Sequence, residues 1–450
     1  MVKDVLRLKG LKTSLNNRAY YDLNSPSSST AAVIKSLRRD DAYILGVTKL
    51  SSMIAREEPL NAIDYPTCFN PRGDGYQSPA GSSSGSAAAV AAYEWVDVGI
   101  GSDTSGSGRR PAMANGVWQF RPTHKRIDCT GMVKTWPGYD TPCVFARDFG
   151  KLERVLSCWI PQEGTSAVSN HREKLQRQSL PKRYEIIYPT EYFLAITNPD
   201  QRQLLDTFIM DLTSHLGGHG GSTSKKRNFS IHEAWKETHP PNTDPDLDEY
   251  LKDVIARTYY YSFYHSTDAF RQAYAEKHNG RKPYVIPFVQ RRWARGAAVT
   301  EAEHEEANGR LKVYKTWLHN TLFTGREEDD GEKPAKAVLV VLPIGNVQPN
   351  YRDEPSPSPE EQSATDELFL PPILGAPDVV VPVGEWEYES RVTGKNEYLP
   401  VMVDVMGAPG KDYELLEAVE MVMRRSGRVM EVAAGERMFP DGSRGEGKEG

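Results

Sequence analysis

The sequence predicts an α/β protein with one large, twisted, mixed and mostly parallel β-sheet, helices on both of its faces and a helical insertion in its middle. Three observations carry this reading. Strand-like and helix-like patterns alternate through the first third of the chain. The near-continuous apolar runs KAVLVVLPIG (336–345) and PDVVVPVG (377–384) read as strands buried on both faces. Between about residues 161 and 335, charged and tyrosine-rich helical patterns take over.

Taken in order, AYILGVTK (42–49) and VDVGIG (96–101) are short β-prone runs that end at turns. STAAVIKSLRRDD and SGSAAAVAAYEW read as helices opening at serine or threonine caps, and GKLERVLSCWI as a further helix with its leucines toward the core. DQRQLLDTFIMDLTSHLGG carries Leu204, Leu205, Phe208, Ile209, Leu212 and Leu216 at helical spacing before a glycine stop. Thr300 and Glu303 form a capping box for a helix reaching Leu322. YLPVMVDVMG precedes the helix DYELLEAVEMVMRRSG. Lys225-Lys226-Arg227 reads as a solvated loop, the proline-rich acidic stretch 349–367 as a surface loop, and residues 436–450 as a mobile tail. The expected organisation is a single domain over 1–435. Residues 1–160 and 336–435 form its core, and 161–335 a helical region on the substrate side.

Composition narrows the function classes. The chain has 450 residues, 38% hydrophobic, with a formal net charge of −6, so no global charge draws it to nucleic acid or an anionic membrane. No apolar run approaches the roughly 18 residues of a membrane span, and MVKDVLRLKG is not a secretory signal. The cysteines at 68, 129, 143 and 158 form no CxxC pair and read as reduced thiols of a cytoplasmic protein. There is no HExxH, and His304 in EAEHEEANG reads as part of a charged helix face, so no metal is expected.

The chemistry concentrates between Gly75 and Ala112, where two serine–glycine clusters flank an alanine-rich run: GSSSGSAAAVAA and GSDTSGSGRRPA. Taken singly, each cluster reads as a loop that caps a helix. GSSSG (81–85) also satisfies G-x-S-x-G, which would make Ser83 a hydrolase nucleophile, but NPRGDGYQSPA before it is no strand and no oxyanion motif lies upstream.

Taken together, the clusters resemble the defining segment of the amidase signature family of serine amidohydrolases. VKDVLRLKGLKTS resembles the family's lysine-bearing strand and turn, GVTKLSS its next segment, and PTHKRIDCTGMV with YDTPCVFARD the stretch after the nucleophile. FNPRGDGYQSPAGSSSGSAAA and PDVVVPVGEWEYESRVTGKNEYLPVMVDVMGA look most like the fungal amidases of the family. The resemblance covers about residues 1–160 and 365–435. It implies the amidase signature fold and hydrolysis of a carboxylic amide to acid and amine or ammonia.

Carried across, the family's motif places the nucleophile on Ser107, the base on Lys3 and the relay serine, expected in a cis peptide, on Ser82. Counting the family's customary spacing back from Ser107 gives Ser83 instead. Ser82 is preferred because the connection YEWVDVG absorbs one extra residue. The backbone amides of Thr104, Ser105, Gly106 and Ser107 are the implied oxyanion hole. Asp103 and Arg109 match positions that hold the nucleophile loop, Lys49 is structural, and Arg110 replaces a usual apolar residue. A lysine base must be desolvated to be neutral near pH 7. Relatives carry tens of residues ahead of the lysine strand, whereas Lys3 lies near the start of this sequence, and a frayed end would hydrate it and switch off the base. The resemblance implies no cofactor and no metal, a small-molecule amide as substrate, and allows a homodimer. Two other classes compete: an amidase-like binding protein without catalysis, and a glutaminase-type subunit that passes ammonia to a partner. Tyr259, Tyr260, Tyr261 and Trp293 are aromatic candidates for the pocket, or else core.

Overall fold

The computed structural model describes residues 1–160, 183–216, 224–324, 336–355 and 362–440. Its centre is a ten-stranded sheet in the order β2-β1-β3-β5-β4-β9-β10-β8-β6-β7. The strands are β1 (Val2–Lys3), β2 (Val47–Thr48), β3 (Val98–Asp103), β4 (Trp118–Arg121), β5 (Thr141–Ala146), β6 (Arg183–Pro189), β7 (Lys225–Phe229), β8 (Lys336–Leu342), β9 (Asp378–Glu389) and β10 (Asn396–Met406).

The sheet is mixed but not mostly parallel. Parallel pairing is confined to its two ends, β2-β1-β3 and β7-β6-β8, and the five pairs joining β3, β5, β4, β9, β10 and β8 are antiparallel. The reason lies in what the pattern encodes. A continuous apolar run reports burial on both faces, as in β9, and says nothing about which way the neighbouring strand runs.

Three further expectations change. The middle region is not helical throughout, because it contributes β6 and β7 to the sheet. Lys225-Lys226-Arg227 lies in β7, at the sheet edge, where charge protects an unpaired strand. There the Lys226 ammonium sits 3.7 Å over the Tyr188 ring and Arg227 faces Glu185 at 3.4 Å. The packed body also runs past residue 435, since Met438 and Phe439 are buried in an apolar cluster with Val380 and Met402. The rest of the expected tail, 441–450, lies outside the described residues.

The helices follow their signals except for two expected hydroxyl caps: Ala32–Arg39 opens at Ala31 and Ser84–Ala92 at Ser83, neither with a side-chain cap bond. Ser84–Ala92 opens within the first serine–glycine cluster and Arg109–Asn115 just after the second. Phe149–Trp159 is capped by the Asp148 carboxylate and buries Phe149, Leu152, Val155, Leu156 and Trp159, each contributing about 1.5–3 kcal/mol of apolar burial. Pro199–His215 starts at Asn198, whose side chain accepts the amides of Asp200 and Gln201. Glu301–His319 carries the capping box of Thr300 and Glu303. His304 in that helix bonds the Arg257 carbonyl and stacks on Tyr261, so its role there is packing.

Candidate active site

A cation, three hydroxyls and two tight loops meet at the β1 end of the sheet. β1 is only two residues long, yet it is paired on both sides, with Val2 against Val47 and Ile100 and Lys3 against Thr48. Lys3 is fully buried. Its Nζ donates to Ser82 Oγ at 2.9 Å, Ser83 Oγ at 2.8 Å and Ser102 Oγ at 2.9 Å. Burial without an ion-pair partner pushes its pKa down from 10.5 to about 8, against the pull of Cys143 and Asp103.

Ser82 and Ser83 are both fully buried but differ in their bonding. The Ser83 hydroxyl donates to the Ser102 carbonyl at 3.0 Å and accepts from the Ser102 amide at 3.2 Å as well as from Lys3. Its single proton is therefore spent. Ser82 Oγ bonds Lys3 alone among the described residues and keeps its proton to give elsewhere. The Gly81–Ser82 peptide bond is cis. A Cβ on Gly81 would stand 2.0 Å from Ser51 Oγ, and the Ser51 amide donates to the Ser82 carbonyl at 3.1 Å. The segment around Ser51 thus braces the first loop from below. Lys49 in that segment turns away, to the Pro66 carbonyl at 2.9 Å.

The second loop is tied to the first where the Ser83 amide donates to the Ser107 carbonyl at 3.0 Å. Ser107 is half-buried, unlike the sealed serines behind it. The Asp103 carboxylate shapes this loop by accepting the amides of Gly106 (3.1 Å), Gly108 (2.8 Å) and Arg109 (3.3 Å). Of the four amides expected to form an oxyanion hole, that of Gly106 is bonded to Asp103. Gly106 has φ +101°, and a Cβ there would stand 2.7 Å from Leu368, so this turn requires glycine.

Asp103 belongs to a buried ion cluster. Arg109 reaches it at 3.0 Å, Asp378 at 3.6 Å and Asp404 at 3.8 Å, and Arg121 reaches Asp103 at 3.5 Å, all with side chains excluded from solvent. Burial disfavours the Asp103 charge, but the two guanidiniums outweigh it and hold that carboxyl well below its ordinary range. Asp378 and Asp404 are pushed up by burial.

Sequence reading misses three contributors. Ser102 is the third hydroxyl on Lys3, and its only signal is its place on a strand beside the loop bearing Ser107. Asp140 accepts the Thr104 hydroxyl and the amides of Thr135 (2.8 Å) and Trp136 (2.7 Å), and burial pushes its pKa up to about 6. Glu57, fully enclosed, accepts from Ser51 at 2.9 Å and Thr67 at 2.8 Å. Of the aromatic candidates, Tyr259 lies nearest the site, stacked on Trp136 at 4.9 Å and bonded to Arg292 Nη1 at 3.2 Å. Tyr260 bonds Gln362, and Trp293 packs over Arg271, away from the loops.

Residues 1–219 match the family model described as Amidase. The chain is 40% identical over 162 residues to Amidase 1 of Arabidopsis thaliana, covering 36% of this chain and 37% of that protein. It is 33% identical over 217 residues to a glutamyl-tRNA(Gln) amidotransferase subunit of Chlorobium phaeobacteroides, covering 47% of this chain and 44% of that one. The match thus spans less than half the length of these curated relatives. Among solved structures, a 6-aminohexanoate cyclic dimer hydrolase superposes with a TM-score of 0.70 at 16% identity, over 94% of this chain and 83% of that one. A structure described as an amidase gives 0.64 at 19% identity, over 94% and 83%. At those identities the likeness is one of fold. Family match and fold agree: residues 1–219 match the Amidase model, and the fold is that of solved amidase structures.

Proposed function

We propose that this chain hydrolyses a carboxylic amide through Ser107, with Ser82 as proton relay and Lys3 as base. The observation that carries the reading is the contrast at Lys3: a buried amine of lowered pKa lies 2.9 Å from Ser82, whose proton is free, while that of neighbouring Ser83 is spent. A serine hydroxyl is a weak nucleophile until its proton has somewhere to go. Neutral Lys3 takes the Ser82 proton as Ser82 takes that of Ser107, and Ser107 Oγ bonds to the amide carbon. The amides of Thr104, Ser105 and Ser107 receive the oxyanion. The proton then returns along the relay to the leaving nitrogen, the C–N bond breaks, and water hydrolyses the acyl-serine. No step calls on a cofactor.

The test is labelling with a fluorophosphonate followed by peptide mapping. The expected adduct is on Ser107 and is lost in Lys3→Ala. Labelling of Ser83 would favour the elbow nucleophile, and a folded protein that takes no label would leave an amidase-like binding protein. A second reading, the glutaminase-type subunit, is favoured by the relatives named as parts of glutamyl-tRNA(Gln) amidotransferases. It requires that a partner co-purify with the chain and raise its release of ammonia from glutamine.

A further inference from the structure

Two consecutive arginines follow the nucleophile loop and do opposite things. Arg109 turns inward onto the buried carboxylates and also donates to the Leu368 carbonyl at 2.8 Å. Arg110 is exposed, and its guanidinium makes no hydrogen bond or ion pair with any described residue. Its own amide donates to the Gly106 carbonyl at 2.9 Å, closing a helical turn over the loop. That turn puts residues 107 and 110 about 5–6 Å apart at Cβ, within reach of one small molecule.

Desolvation by neighbouring atoms lowers the pKa of Arg110 although the residue meets solvent. Nearby cations are otherwise engaged: Arg56 bonds Glu58 and lies over the Phe288 ring, and Arg292 bonds Tyr259 and Gln362. Glu367 and Asp366 favour the charge on Arg110 without pairing with it. The side chains packed near the loop are apolar or aromatic: Leu368 lies against Gly106, and Phe369 and Tyr139 pack on Trp136.

Resting on the assignment of Ser107 as nucleophile, we infer that Arg110 reads an anionic group and that the substrate is an amide carrying a carboxylate a few bonds from the scissile carbonyl. A guanidinium forks onto a carboxylate with two parallel hydrogen bonds, which fixes both presence and direction of the acyl chain. Such a group gives an orientation that an apolar pocket cannot.

The experiment compares kcat/KM of the full chain for succinamate and for butyramide, an uncharged amide of equal length. The expected preference for succinamate is tenfold or more. It should collapse toward parity in Arg110→Leu through a rise in KM, and Arg110→Lys should restore part of it. An unchanged ratio in Arg110→Leu overturns the inference, as does a wild-type preference for butyramide. Succinate binding, read as a thermal shift, is independent of turnover. If neither amide is hydrolysed, an Arg110-dependent shift still supports the inference while the catalytic reading fails, and a shift that Arg110→Leu leaves unchanged overturns it.

Discussion

Lys3 and Arg109 are both fully buried cations, set on either side of the strand that ends in Asp103, and their fates are opposite. Around Lys3 are three hydroxyls, and burial drives its pKa down to about 8. Around Arg109 are three carboxylates, and although burial works against its charge, Asp103, Asp378 and Asp404 more than offset that and lock it on. Burial works against both charges, and its outcome differs. The neighbours decide: dipoles tolerate a neutral amine, whereas carboxylates forbid one. The fold keeps the two environments on separate loops and links them through Asp103, which holds the amides of the loop bearing Ser107.

The largest effect expected from breaking this comparison is on the neutralisable side. Lys3→Ala should cut kcat/KM by about a thousandfold or more while circular dichroism shows a folded chain, because the proposed relay loses its acceptor. A loss below tenfold would remove Lys3 from the chemistry. On the locked side, Arg109→Met strands three carboxylates away from water. Unfolding in urea should become easier by about 3–5 kcal/mol. A variant with unchanged stability would mean that the cluster is not holding the loop.

These contrasts mark what a sequence can disclose. The helix Pro199–His215 is legible because its apolar spacing repeats at the helical period, and the capping box of Thr300 and Glu303 because it is local. Strand direction in β9 and β10 is not legible, since their apolar runs encode burial alone. Ser107, Ser82 and Lys3 come forward through family resemblance, but adjacent hydroxyls are alike in a string of letters. What separates Ser82 from Ser83 is which way the backbone points each one, and the Ser102 carbonyl that takes the Ser83 proton lies 19 residues away. Asp378 and Asp404 read only as interruptions in two apolar strands, because their partner Arg109 is supplied from a distant loop.

The two serines sharpen the comparison at a finer scale. Ser82→Ala should lower kcat/KM by about a hundredfold or more, with stability changing little, because among the described residues its hydroxyl bonds Lys3 alone. Ser83→Ala should do the reverse. It strands the Ser102 carbonyl and amide, and unfolding should shift by about 1–3 kcal/mol while turnover falls less than tenfold. An equal loss of activity in both would mean that the relay is shared.

The smallest effects are in the pH dependence, where the two regions should pull in opposite directions. The lowered pKa of Lys3 means that the folded chain binds fewer protons than the unfolded one between about 8 and 10.5, so its contribution makes stability rise with pH across that window. The same group makes kcat/KM climb through pH 8, reaching about a tenth of its plateau at pH 7. Asp378 and Asp404, pushed up by burial, make the folded chain bind more protons than the unfolded one, so stability falls as pH climbs above the ordinary carboxylate range. Thermal melts across pH 5–10 separate the two: Asp378→Asn should flatten the fall and Lys3→Met the rise. If Lys3→Met left the alkaline limb in place, the amine would be charged throughout, and the difference between a hydroxyl cage and a carboxylate cage would not be what sets its proton free.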